Sequence, residues 1–206
     1  MLGGIKPQTA LFVGDEITTP RLIAESFSCA LKSAFTDQFS AEQGSAAGLD
    51  SCAVQIFELP GENNSFDLVW YNGIVEFDGS GQRLEQLREK LRPGGDLVYR
   101  SMSWLTEPSP DTRNFCQRRF GKILPLDKVL VSAKELGFRV RDFYIAPKSD
   151  WYGGYYDPLI AAAESYAGIH REDSAVSVGL SELRKEYGIF DMHCEEYSCV
   201  YYILKG

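Results

Sequence analysis

Residues 65–73 read SFDLVWYNG, and residues 87–101 read LREKLRPGGDLVYRS. The first stretch is an apolar run, Phe66 to Tyr71, halted at Asn72-Gly73. The second closes a helix at Arg92-Pro93-Gly94-Gly95 and passes at once into another apolar run, Leu97 to Ser101. Between them, residues 82–91 place Leu84, Leu87 and Leu91 at helical spacing, with Arg83, Glu85, Arg88 and Glu89 on the other side. That spacing predicts an amphipathic helix with one dry face. Strand, helix and strand in immediate succession is the rhythm of a parallel α/β sheet.

The rhythm extends in both directions. Upstream, Thr9 to Val13 reads as a buried strand ending at Gly14, and Thr18-Thr19-Pro20 opens a helix over Arg21 to Ser28. Leu31 to Phe35 is the second strand, with Asp37 just past its carboxyl end. Ser40 to Ala47 is a helix closed by Gly48, and Ala53 to Phe57 is the third strand. Downstream, SWLTEPSPDTRNF (103–115) breaks the rhythm as a loop and short helix. Leu126 to Leu136 is an amphipathic helix stopped by Gly137, and Phe138 to Ala146 is a strand. The aromatic SDWYGGYYDPL (149–159) leads into a helix toward Tyr166. Ser181 to Tyr187 is helical, and Glu196 to Leu204 is a closing strand. No internal repeat or linker interrupts the series, so the 206 residues are expected to form one domain.

Composition narrows the function. Hydrophobic residues at 44% supply a sizeable core and argue against disorder. A net charge of −8 argues against nucleic acid, which requires basic patches. No apolar run approaches the roughly 20 residues that span a bilayer, so no membrane partner is expected. The five cysteines form no CxxC pair and only two histidines exist, so no metal site is expected. Unpaired thiols without a signal peptide fit a cytoplasmic protein.

The stretches LPGENNSFDLVWYNG (59–73), LREKLRPGGDLV (87–98), SWLT (103–106), DWYGGYYDPL (150–159) and the Tyr-rich end (197–204) occur in this order. Together they resemble the class I S-adenosylmethionine (SAM)-dependent methyltransferases of the small-molecule type. The resemblance runs from Lys6 to Lys205. It implies a Rossmann-like α/β fold: a seven-stranded, mostly parallel sheet with helices on both faces and an antiparallel last strand. Ligands would then bind beyond the carboxyl ends of the strands, where strand order reverses.

The resemblance also assigns cofactor positions, and several depart from its pattern. The glycine-rich loop after the first strand reads Val13-Gly14-Asp15-Glu16-Ile17-Thr18, in which only Gly14 matches. Asp37 takes the place of the carboxylate that accepts both ribose hydroxyls. The position facing adenine falls on Gln55, with Glu58 as a substitute. Asn72 stands where relatives carry an acid, and Glu76 nearby is a candidate base. The chain begins eight residues before Thr9, where the family places helices over the cofactor. A partner chain is expected to supply that wall.

On the acceptor side, Trp104, Trp151, Tyr152, Tyr155 and Tyr156 occupy segments that line the pocket in relatives, where aromatics hold planar or cationic groups. Ordinary core packing is the competing reading. His193 is a second candidate base. Methyl transfer itself needs mainly proximity and alignment. Two functions follow, with a small-molecule binding module without transfer chemistry as a third class. One is an auxiliary, pseudoenzyme subunit with an impaired SAM site, paired with an intact homologue as a heterodimer. The other is an active methyltransferase, alone or as a homodimer, acting on a small-molecule acceptor.

Overall fold

A computed structural model describes residues 4–54, 58–73 and 82–206. Among the described residues eight strands form one sheet, seven of them in the order β3-β2-β1-β4-β5-β8-β7. These are β1 (Thr9–Gly14), β2 (Ala30–Phe35), β3 (Asp50–Ala53), β4 (Phe66–Tyr71), β5 (Leu91–Trp104), β7 (Arg139–Ile145) and β8 (Tyr197–Lys205). The eighth, the two-residue β6 (Leu124–Pro125), pairs with the end of β5 and lies off that path. It is the one strand beyond the seven expected. Strands β1 to β5 run parallel, and β8 runs antiparallel to both β5 and β7.

Alternate residues of the strands feed two cores, as a pleated strand requires. Leu11, Val13, Val69, Leu97 and Tyr99 face Leu84 and Leu87 of α3 (Gln82–Lys90) and Val129 and Ala133 of α5 (Leu126–Glu135). Ala10, Phe12, Leu68 and Val98 face Ile23 of α1 (Thr18–Phe27) and Ala41 of α2 (Gln38–Ala46). A third core caps the carboxyl end of β5 and the start of β8. There Met102, Trp104 and Tyr197 meet α4 (Pro110–Phe120), the segment 148–156 and α8 (Ser174–His193).

Helix α8 runs over Ser174–His193, well beyond the Ser181–Tyr187 read from the sequence, and two strands also differ. The third strand lies at Asp50–Ala53, not Ala53–Phe57, because Lys32 to Phe35 pair in register with Asp50 to Ala53. Residues 55–57 lie outside the described residues. Strand β5 is longer than expected. Leu91 already pairs with Phe66, and pairing resumes at Asp96 with Leu68, so Arg92 to Gly95 form a bulge inside the strand. Within SFDLVW, Asp67 has a structural task. Its Oδ2 accepts from Gln8 N, Thr9 N and Thr9 Oγ1, and its Oδ1 accepts from Arg92, which fixes the entry of β1 beside β4.

Strand order reverses between β1 and β4, so the crevice above their carboxyl ends is the binding position that this topology provides. Past β5 the sheet is roofed by α6 (Lys148–Trp151), a π-turn (Tyr152–Tyr156), α7 (Asp157–Ile169) and α8.

Candidate functional site

The crevice is built where β1 hands the chain to α1. The loop Asp15-Glu16-Ile17 joins Gly14 to Thr18, and the first N–H groups of α1 point into it without helical partners. Such a helix start is a natural seat for an anion. Here the chain's own Glu16 takes it. Glu16 Oε2 accepts from Thr18 N at 2.6 Å and Thr19 N at 3.0 Å. Glu16 Oε1 accepts from Asn72 Nδ2 at 2.9 Å.

Asn72 carries the network across the crevice. It is 4% exposed, and its backbone N–H donates to Val13 O, so it sits at the tip of β4 against β1. Its Oδ1 accepts from Arg100 Nη1 at 3.0 Å, and Arg100 Nε donates to Cys199 Sγ at 2.9 Å. Glu16, Asn72, Arg100 and Cys199 thus form one chain of hydrogen bonds from α1 to β8. Burial raises the Cys199 thiol above its ordinary value, and the adjacent Arg100 charge offsets this only in part. Cys199 is therefore a neutral thiol at pH 7. Gly14 is fixed by the same packing, since a Cβ there would lie 2.5 Å from the Phe12 ring and 3.0 Å from Asn72 Cβ.

Asp37 stands just past β2 on the crevice side and caps α2, its Oδ1 accepting from Ser40 N at 2.8 Å. The Ser40 hydrogen bonds hold its carboxyl below the usual range. Ser40 Oγ donates in turn to Asp15 O, tying the cap to the β1 loop. Glu58 is exposed. Gln55 and Glu76 lie outside the described residues.

A second space opens beyond β5. It is a cavity of about 510 Å³ whose lining includes Asp15, Arg100, Trp151, Tyr155, Cys199 and Tyr201. Of the aromatic candidates, Trp151 and Tyr155 line it, and Trp104 and Tyr156 belong to the core behind it. Trp104 meets Tyr197 edge-on at 6.1 Å, and Tyr156 stacks on Trp151 at 6.0 Å. Trp151 is itself fixed by its indole N–H, which donates to Ser198 Oγ at 3.0 Å. Beneath the cavity, the buried Glu186 of α8 accepts from Arg119 Nε at 2.8 Å.

His193 is placed elsewhere. Its Nδ1 is 2.9 Å from Glu196 Oε1, and Glu196 Oε2 accepts from Ser109 N at 2.8 Å. It lines a surface groove with Phe115, Arg118 and Met192, and shares no lining residue with the cavity. The structure therefore brings Gly14, Asn72 and the Trp151–Tyr155 wall to one end of the sheet, joined through Arg100, and sets His193 apart. Sequence reasoning missed Arg100 and the task of Glu16. The signals were present: one cation within the apolar run LVYRSMSW, and an acid two residues before a helix start.

No protein-family model and no curated protein matches the sequence. Solved structures do match it. A SAM-dependent methyltransferase from Geobacter sulfurreducens, in complex with S-adenosyl-L-homocysteine, superimposes with a TM-score of 0.75 at 16% identity, over 97% of this chain and 85% of its own. One from Thiobacillus denitrificans, also with S-adenosyl-L-homocysteine, gives 0.77 at 16% identity over 97% and 85%. The [4+2]-cyclase SpnF gives 0.73 at 16% identity over 97% and 74%. At this identity the likeness establishes the fold, and one fold serves many chemistries.

Proposed function

We propose that this chain, which has the fold of the class I SAM-dependent methyltransferases, is an auxiliary subunit of a small-molecule methylation system. In this reading it pairs with a catalytically intact homologue that holds the SAM. One observation carries it: the carboxylate of Glu16 occupies the helix start at the switch point and is locked there by Asn72. An amino-acid carboxylate arriving at that seat would meet a like charge in place of free N–H donors. The residues at that end of the crevice do not fit the methionine part of the cofactor. No catalytic step is therefore assigned to this chain.

Pairing has its own support. Helix α7 contains no buried residue, although it reads DPLIAAAESYAGI. Ile169 is 77% exposed, and Val178 on the adjoining α8 is 61% exposed. Apolar surface of this kind on a folded chain marks an interaction face.

The second reading, an active methyltransferase in its own right, is favoured by Asp37. It remains at the end of β2, on the crevice side, with a depressed and therefore ionised carboxyl. Co-expression with an intact homologue from the same genome separates the two. The auxiliary reading expects a stable pair that retains one S-adenosylhomocysteine per two chains. Two per pair, or no pair and full cofactor occupancy of this chain alone, supports the active enzyme instead.

A further inference from the structure

We infer that the cavity beyond β5 binds a small monocarboxylate with an aromatic body, its carboxylate held by Arg100. This concerns the cavity and does not rest on the reading of the cofactor crevice. A guanidinium has five N–H donors. Arg100 commits Nε to Cys199 and one Nη1 hydrogen to Asn72. Among the described residues its remaining donors meet no protein acceptor, and Asp15 acts on it only through space. The other guanidinium in the lining, Arg119, is already answered by Glu186. Arg100 is thus a half-buried planar fork in a cavity wall, and that fork matches a carboxylate. Cys199 and Asn72 fix its plane, and Tyr201 packs against it with the guanidinium carbon 5.8 Å from the ring centroid.

The rest of the lining limits the ligand. Phe120, Trp151, Tyr155 and Tyr201 supply aromatic walls. A volume of about 510 Å³ suits one small organic molecule. Asp15 and Asp150 also line the space, so a doubly charged phosphate would meet two carboxylates with one uncommitted cation between them. A single negative charge is favoured, and Asp15, close enough to act on Arg100, can answer an ammonium group next to the ligand's carboxylate.

The test is calorimetric titration of the full chain with benzoate, benzamide, phenyl phosphate and L-phenylalanine. Benzoate and L-phenylalanine are expected to bind saturably, with benzamide and phenyl phosphate at least about tenfold weaker, the scale of one lost charge-assisted bond. Arg100→Lys keeps the charge, removes the fork and should weaken benzoate by a similar factor. The comparison of benzoate with benzamide on the unaltered chain keeps the test valid if that variant does not fold. Equal binding of benzoate and benzamide, no binding of either by the folded chain, or a preference for phenyl phosphate would overturn the inference. SAM binding, measured separately, bears on the crevice reading and leaves this one standing.

Discussion

Glu16 and Glu196 are both carboxylates that answer backbone N–H groups, at two different junctions of the sheet. Glu196 ties the start of β8 to the loop before α4 through Ser109, and to His193 at the end of α8. Burial pushes its carboxyl up, but the Ser109 N–H, His193 and Thr112 outweigh burial and hold it below the ordinary range. A group depressed on folding stabilises the protein above its unfolded pKa, about 4.3, and loses that contribution as pH falls through its folded value. Glu196→Gln is therefore expected to cost about 1 kcal/mol at pH 7. The gap from the unaltered chain should close in acid below pH 4. Urea melts across that range check both the size and the direction. A gap that widens toward acid would contradict the assignment.

At the scale of elements, the seam between β5 and β8 holds the sheet's antiparallel turn. Inside it, Ser103 Oγ and Tyr202 OH lie 2.6 Å apart in a site without solvent. Tyr202→Phe strands the Ser103 hydroxyl and is expected to cost about 1–3 kcal/mol. The double variant with Ser103→Ala should recover part of that loss, measured as a shift in the denaturation midpoint. Much of this architecture was legible beforehand. Phe66–Tyr71 and the helix after it announced themselves by period and by the Pro-Gly-Gly stop. The third strand did not, because Asp50-Ser51-Cys52-Ala53 carries no large apolar side chain and only pairing with β2 selects it. The candidate site was legible in part. Gly14 and Asn72 were found at the switch point. Residue type alone did not divide Trp151 and Tyr155, which line the cavity from the edge of the core, from Trp104 and Tyr156, which lie within that core. Arg100 went unread because its partners lie on β4 and β8, far away in sequence.

At the scale of the molecule, one end of the sheet carries the hydrogen-bonded crevice and the cavity, and the helices α7 and α8 cover its flank. Among the described residues no helix is long and apolar enough to cross a membrane. Helix α7 contains no buried residue, and the proposed pairing uses that face. Ile169→Glu with Val178→Glu is expected to leave stability within about 0.5 kcal/mol, since both side chains are already exposed. The same pair should abolish association with an intact homologue in sedimentation velocity runs. Association that persists unchanged would move the interface elsewhere.

The most direct test of the central claim is calorimetric titration of the folded chain, alone, with SAM and with S-adenosylhomocysteine. The locked Glu16 carboxylate predicts no saturable binding at millimolar ligand. Micromolar binding that weakens sharply in Asp37→Ala would contradict it and make this chain an enzyme in its own right.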